Sequence, residues 1–219
     1  MLTDAQARTY HQSTKWETRN NVIKGGLLYW LSGVEPVYYE RKITPWFTIQ
    51  GGIGLTSRDF MADLTNLWIY ALNDGVSANN YADYHERKVV VSIYSSLQPK
   101  FYTNITAMNG FYISPKVEFK RYNYKANLVD PNQTGLFYLP NQYYKEHFTV
   151  VDFTANVGWQ WMFDPLTLEL NLGAGVRKYW QNRLDIEEDN TTGLYTNGVN
   201  NFNGIRPTFN IELNLGGFF

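Results

Sequence analysis

The most constraining feature of the sequence is a strict alternation of apolar and polar side chains over residues 205–219. A period of two residues is typical of a β-strand with one apolar and one polar face. The run is far longer than the usual strand of about 5–6 residues. One face carries Ile205, Pro207, Phe209, Ile211, Leu213, Leu215, Gly217 and Phe219, and the other carries Arg206, Thr208, Asn210, Glu212, Asn214, Gly216 and Phe218.

The same alternation recurs along most of the chain and predicts eight strands. Eight is an even number, as bacterial single-chain membrane barrels require. We therefore expect an all-β fold, an eight-stranded antiparallel up-and-down transmembrane β-barrel over residues 21–219. Residues 1–20 lack the alternation and are expected to form an N-terminal periplasmic segment. The predicted strands lie at residues 21–32, 37–41, 46–57, 88–102, 110–124, 146–163, 168–177 and 205–219.

Alternation alone does not show which face is buried, because a soluble barrel or sandwich would place the apolar face inside. The length of the strands favours the membrane, where a tilted strand needs about 9–11 residues in the hydrocarbon. Aromatic residues also gather at the strand ends, which is typical of the two bilayer interfaces. The predicted interface aromatics are Tyr29, Trp30, Trp46, Phe47, Trp159, Trp161, Phe163, Tyr179, Trp180 and Phe219.

Connection lengths alternate between short and long along the chain. Short turns are expected at residues 44–45 and 164–165, and long connections at residues 58–87, 126–145 and 181–203. Short periplasmic turns and long outer loops are the rule for outer-membrane barrels. The predicted location is therefore the outer membrane of a Gram-negative bacterium, with both termini periplasmic and the long loops extracellular.

Composition excludes several classes of function. The chain has no cysteine, which removes disulfides, thiolate catalysis and cysteine-ligated metals. Its net charge of −1 provides no basic excess for nucleic acid. It contains no apolar run of about 18 residues that would form a membrane-spanning helix. The start of the chain resembles no signal peptide, so we expect the numbering to begin near the mature N-terminus. No cofactor is predicted.

In a barrel surrounded by lipid, the polar face becomes the interior. Eight strands enclose a lumen just wide enough to be filled by side chains. Buried charges are tolerated only when they are paired, so we expect an ionic network that plugs the lumen. A conducting pore lined by the same charges is the alternative. The predicted network residues are Lys24, Glu40, Lys100, Lys116, Glu118, Lys120, Glu169, Arg177, Arg206 and Glu212.

The length, the eight strands, the short turns and the terminal Phe219 together resemble the small OmpA/OmpX/OmpW-type outer-membrane barrels. Residues 37–41 (VYYER) and 110–115 (GFYISP) are similar to segments of Bacteroidota-type outer-membrane barrels. The resemblance covers residues 21–219. It implies outer-membrane lipid and lipopolysaccharide as surroundings and insertion by the barrel-assembly machinery. In this family the assembly signal lies in the last strand, at positions that correspond here to Leu213, Leu215, Gly217 and Phe219.

Three further groups of residues could carry a function. An acidic cluster at Asp185, Glu187, Glu188 and Asp189 could collect divalent cations, although it lacks a full ligand loop and fits a solvated loop better. His85 and His147 are expected near the outer rim, but no Ser–His–acid pattern accompanies them. A helix with apolar residues at helical spacing is predicted in the first long loop, where it either contacts a partner or caps the barrel mouth: Phe60, Met61, Leu64, Leu67 and Trp68.

From the sequence we therefore expect a structural or accessory subunit, or scaffold, that contacts other outer-membrane or periplasmic proteins. It is not expected to be an enzyme. The rival hypotheses from other classes are a lipid-A-modifying outer-membrane enzyme and a narrow channel for small solutes.

Overall fold

A computed structural model describes residues 20–57, 88–103, 107–133, 137–189 and 191–219. The predicted loop helix and all of the N-terminal segment except Asn20 lie outside these residues. No helix within the described ranges is long and apolar enough to cross a membrane. The elements are β1 (Asn21–Gly26), a 3₁₀ helix (Leu28–Ser32), β2 (Val34–Thr44), β3 (Phe47–Thr56), β4 (Lys88–Val90), β5 (Ser92–Tyr102), β6 (Gly110–Val129), β7 (Tyr138–Phe163), β8 (Leu166–Asp189) and β9 (Leu194–Phe218).

The strands form one antiparallel sheet that closes on itself. The order around the ring is β6-β5-β3-β2-β1-β9-β8-β7, and β7 returns to pair with β6. The short strand β4 continues β5 beyond Val91 and pairs with β6, with Lys88 opposite Lys125. The ring therefore contains eight strands, and the predicted all-β, eight-stranded antiparallel barrel is confirmed.

The strands β7, β8 and β9 are much longer than the sequence indicated, with 26, 24 and 25 residues. Two predicted loops are wrong as a result. Most of residues 126–145 belongs to β6 and β7, and residues 181–203 form a hairpin in which Gln181 pairs with Phe202 and Asp189 with Leu194. A strand that extends into water needs no apolar face. Its sequence therefore lacks the apolar alternation from which a strand is predicted.

The two ends of the barrel differ in construction. At one end, called here the short-turn end, Pro45 and Trp46 alone join β2 to β3, and Asp164 and Pro165 alone join β7 to β8. The last strand closes here, where the Phe218 N–H donates to the Pro165 carbonyl over 3.0 Å. The opposite end, called the long-strand end, carries the extended hairpins.

The two faces of the wall have the inverse of a soluble protein's polarity. Apolar side chains point outward, with Phe209 80%, Ile53 72% and Phe153 50% exposed. Charged side chains point inward and are fully buried, as at Lys24 and Glu169. This is the distribution of a barrel whose wall contacts hydrocarbon, because water would leave a continuous apolar surface exposed.

The described residues leave an opening in the wall between β1 and β9. Strand β9 pairs with β8 along its whole length, but with β1 only from Asn214 to Phe218. One more bond, from the Leu27 N–H to the Leu213 carbonyl (2.8 Å), ends the contact. Beyond it the chain turns into the 3₁₀ helix and leaves the edge of β9. Among the described residues this edge has no strand partner from Arg206 to Glu212.

Candidate functional site: the ionic lumen

Glycines on the inner face of the wall make room for large polar side chains. A Cβ atom at Gly52 would lie 2.6 Å from Cδ1 of Tyr38, and one at Gly158 would overlap the ring of Tyr112. Both tyrosines are fully buried. Alternation thus brings polar groups into the lumen, and glycine provides the volume that they occupy.

Four alternating charges form a cluster nearest the short-turn end, called here the lower cluster. The Lys24 ammonium contacts both Glu40 and Glu169. The Lys100 ammonium contacts the same two carboxylates, at 3.2 Å from Glu40 and 2.5 Å from Glu169. All four side chains are completely buried. Two cations and two anions therefore neutralise one another without solvent.

Neutral groups complete the hydrogen bonding of the lower cluster. The Tyr102 hydroxyl donates to Glu40 over 3.0 Å, and the Tyr112 hydroxyl donates to Glu169. The Lys24 ammonium also donates to Gln160 over 3.0 Å, and Lys100 donates to Gln50 over 2.8 Å. Buried charges are tolerated when they are both paired and hydrogen-bonded, which is the case here.

A second group of charges, called here the upper cluster, lies toward the long-strand end. The Lys116 ammonium lies 2.7 Å from both Glu118 and Glu212. The Tyr29 hydroxyl donates to Glu118 and, over 3.1 Å, to Glu212. Tyr94 donates a further hydrogen bond to Glu118 over 2.7 Å. The upper cluster is therefore built around two carboxylates that share a lysine and a tyrosine.

The upper cluster continues to the rim of the lumen through Asp152. Lys120 links Glu118 (3.0 Å) to Asp152 (3.3 Å). Arg177 then binds Asp152 with two parallel bonds, Nε to Oδ1 at 2.6 Å and Nη2 to Oδ2 at 2.8 Å. The upper cluster holds three cations and three carboxylates, so its charge also sums to zero.

The structure brings nine of the ten predicted network residues into these two clusters. Arg206 lies outside them: it is exposed near the rim, with its guanidinium carbon 5.2 Å from the centre of the Tyr179 ring. Sequence reasoning did not include Asp152, Tyr29, Tyr102 or Tyr112. For Asp152, Tyr102 and Tyr112 the available signal was the parity of the strand, whereas Tyr29 lies in the 3₁₀ helix and does not follow the alternation of β1.

An apolar cap closes the short-turn end of the lumen. Val22, Met108 and Phe218 are buried against one another, and the half-buried Met162 packs on them. The Ala107 N–H donates to the Pro45 carbonyl over 2.6 Å, which ties the β5–β6 connection to the β2–β3 turn. The cap was not expected from sequence, because Phe218 belongs to the otherwise polar face of β9.

The predicted interface aromatics divide between the two faces of the wall. Tyr29 is buried inside the lumen, and Tyr179 lies on the inner side against Phe148 (6.2 Å between ring centres). These two predictions are corrected. Tyr179 shares the inner face of β8, while Tyr29 lies in the 3₁₀ helix, where the alternation of β1 no longer applies; their neighbours Trp180 and Trp30 face outward. The remaining members are exposed or half-buried on the outer surface: Trp30, Trp46, Phe47, Trp159, Trp161, Phe163, Trp180 and Phe219.

The predicted assembly-signal residues share the outer face of β9. Leu215 and Phe219 are exposed there, and Leu213 and Gly217 are half-buried. The predicted loop-helix residues Phe60, Met61, Leu64, Leu67 and Trp68 lie outside the described part of the chain, as does His85.

The predicted acidic loop is instead the end of β8. Asp185 accepts a hydrogen bond from the Asn200 amide over 2.7 Å, across the hairpin. Asp189 accepts from the Thr191 backbone N–H (2.9 Å) and the Thr192 hydroxyl (2.8 Å), and these bonds lower its pKa. Within the described residues, no three His, Asp or Glu side chains are grouped to hold a metal ion.

His147 lies on β7 opposite Asn182, and its neighbour Glu146 points to the other face, where it accepts the Leu184 backbone N–H over 2.7 Å. The two side chains therefore do not act as a pair.

Comparison with known proteins adds one distant likeness. No protein-family model and no curated protein matches the sequence. Among solved structures, the chain is similar to the outer membrane protease OmpT from Escherichia coli, with 10% sequence identity and a TM-score of 0.37, over 92% of this chain and 93% of that one. At that TM-score we draw neither activity nor substrate from the likeness.

Proposed function

We propose that this chain is an outer-membrane β-barrel with a structural role, an accessory subunit or scaffold for other envelope proteins. The observation that carries the proposal is the filled lumen. Two charge-neutral clusters occupy the interior, and an apolar cap lies beneath them. Among the described residues such an interior ties the strands together, and we expect it to block the passage of ions.

The outer surface supports a membrane location. Aromatic rings gather on the outside of the short-turn end, where Trp46 stacks on Phe101 (6.2 Å between centres) and Trp159 lies 6.2 Å from Trp161. Amphipathic rings favour the level of lipid headgroups. With the short-turn end in the periplasm, both described chain ends lie there and the long hairpins project outward.

The long-strand end supports a contact with another protein. The β8–β9 hairpin carries Val199 and Phe202 with 46% and 47% of their surfaces exposed, on strands otherwise rich in asparagine. A partner that meets the hairpin would remove these side chains from water. The proposed partner is an outer-membrane or envelope protein that meets this hairpin.

Co-purification from native membranes tests the proposal. The full chain is isolated in mild detergent beside two variants, Val199→Ser with Phe202→Ser, and the matched control Asn200→Ser with Asn203→Ser. We expect a stoichiometric partner with the wild type and the control, and its loss with the apolar pair. A barrel that purifies alone from cells whose lipid A is altered would contradict the proposal and favour the enzyme.

A further inference from the structure

A group of cations, called here the basic band, lies on the outer face of the wall toward the long-strand end. Odd-numbered residues of β6 face outward, as the exposed Ile113 and Val117 show, and the register of β6 with β7 is unbroken from Gly110 to Asn127. Lys125 therefore lies on this outer face. Its register partners and the outward cations of the neighbouring positions complete the band: Lys88, Arg121, Lys125, Lys145 and Lys178.

Three lysines of the basic band lie side by side across three strands. Lys125 of β6 is directly opposite Lys88 of β4 on one side and Lys145 of β7 on the other. Lys88 and Lys145 are exposed, and Lys125 is half-buried. Like charges directly opposite each other destabilise a sheet, because their Cβ atoms are only about 4.5–5.5 Å apart. An anion bound at this row would remove the repulsion.

The outer face supplies no carboxylate to the basic band within the described strands. The outward residues of β6 over 119–127, of β7 over 143–151 and of β8 over 176–182 include neither Asp nor Glu. The neighbouring carboxylates are buried on the inner face: Glu118, Glu146 and Asp152. The positive charge on this part of the outer face is therefore not balanced by the strands that carry it.

The basic band begins where the outer face changes from apolar to polar. On β6, the exposed Val117 and the half-buried Phe119 precede Arg121. On β8, the exposed Val176 precedes Lys178. The band therefore lies at the edge of the apolar outer wall, and the apolar part lies toward the short-turn end.

Two aromatic rings accompany the cations at this edge. The Lys125 ammonium lies 4.7 Å from the centre of the Tyr143 ring, and the Lys178 ammonium lies 5.5 Å from the centre of the Trp180 ring. Tyrosine and tryptophan are enriched at the level of lipid headgroups. Lysine and arginine at that level attract anionic headgroups. The basic band is thus placed to meet the phosphate groups of a lipid leaflet.

We propose that the basic band binds a membrane lipid whose headgroup carries more than one phosphate group, in the leaflet at the long-strand end. One phosphate lies at the row formed by Lys88, Lys125 and Lys145, and a second lies toward Arg121 and Lys178. A headgroup with a single phosphate would balance only a part of the five positive charges. The inference rests on the membrane location proposed above and does not require the scaffold role.

Native mass spectrometry of the full chain, released from nanodiscs, tests the inference. The nanodiscs contain phosphatidylcholine and a titrated fraction of lipid A, either bisphosphorylated or treated with phosphatase. Both forms carry the same acyl chains, so they differ only in their phosphate groups. We expect bisphosphorylated lipid A to be retained and dephosphorylated lipid A to be retained no better than phosphatidylcholine.

Two matched variants separate the basic band from other cations of the surface. Lys125→Gln with Lys145→Gln removes two members of the row. It should weaken retention about 30-fold, since each lysine near an anionic membrane surface contributes about fivefold to the affinity. The control Arg41→Gln with Lys42→Gln removes the same charge from β2 at the short-turn end and should keep the wild-type retention.

Heat-modifiable gel mobility establishes that each variant is folded. Equal retention of the two forms of lipid A, equal effects of the two variant pairs, or equally tight binding of inorganic phosphate alone would each overturn the inference. Unchanged lipid retention by Lys125→Gln with Lys145→Gln, together with loss of a co-purified protein, would assign the basic band to a protein partner instead. Failure of the wild type to insert into the nanodisc would contradict the proposed membrane location.

Discussion

Glu40 and Glu169 lie on β2 and β8, which are not neighbours in the ring, yet the same two ammonium groups join them. Lys24 from β1 and Lys100 from β5 each contact both carboxylates. Four strands are thereby tied together through the interior. The lower cluster is thus a cross-brace of the barrel as well as a plug.

Removing one charge from this brace should strongly destabilise the barrel. Glu169→Gln leaves Lys24 and Lys100 with one carboxylate between them. Breaking a buried ion pair from one side costs about 3–5 kcal/mol. We expect a loss of that order in the free energy of unfolding, measured by urea titration in lipid vesicles. Glu187→Gln, at an exposed position farther along β8, serves as the control. Equal urea midpoints of unfolding for the two variants would refute the prediction.

The same substitution should have unequal effects at two adjacent glycines of β3. Gly52 faces the lumen, and a Cβ there would lie 2.6 Å from Tyr38, whereas a Cβ at Gly51 meets nothing within 4 Å. Overpacking a filled interior costs about 1–3 kcal/mol. Gly52→Ala should therefore lower the free energy of unfolding by that amount, while Gly51→Ala should change it by less than about 0.5 kcal/mol. Similar losses for both variants would mean that the lumen is not tightly filled.

A charge placed on the outer wall should report where the bilayer lies. Ile53 and Val199 are both exposed apolar residues, at 72% and 46%. Ile53 lies within the ring, between Val37 and Ser95, whereas Val199 lies in the β8–β9 hairpin, opposite Leu184. Arginine facing the bilayer midplane costs about 2–4 kcal/mol, and near or beyond the interface about 0–1 kcal/mol. Ile53→Arg should thus destabilise the folded barrel in vesicles, and Val199→Arg should not. Equal effects would contradict the placement of the β8–β9 hairpin outside the membrane.

The β8–β9 hairpin should be rigid at its backbone. Its pairing continues from Gln181 with Phe202 to Asp189 with Leu194. Hydrogen exchange of these amides in detergent micelles should be slow up to the final turn, because paired strand amides exchange only on opening. Uniformly fast exchange from Gln181 onward would show that the segment is a loop.

Sequence alone was sufficient for the fold wherever one face of a strand contacts hydrocarbon. A period of two residues predicts the apolar outer face of β9 from Phe209 to Leu213. It also predicts the inward position of the charges of the lower cluster. The inner position of Tyr29 could not be found in this way, because Tyr29 lies in a 3₁₀ helix and not in an alternating strand.

The extended hairpins and the opening beside β9 could not be predicted from alternation, for two physical reasons. The ends of the long strands, such as Leu184–Asp189, satisfy their backbones by pairing and need no apolar face. The opening beside β9 depends on where β1 stops, which is a matter of pairing between segments distant in sequence.

Current recording across a planar bilayer tests the central claim most directly. Wild-type protein should insert and show no steady conductance, because two neutral clusters and the apolar cap fill the lumen. An open porin inserted into the same bilayer serves as the control for detection. A stable conductance of nanosiemens scale from the folded wild type would contradict the filled lumen and favour a channel.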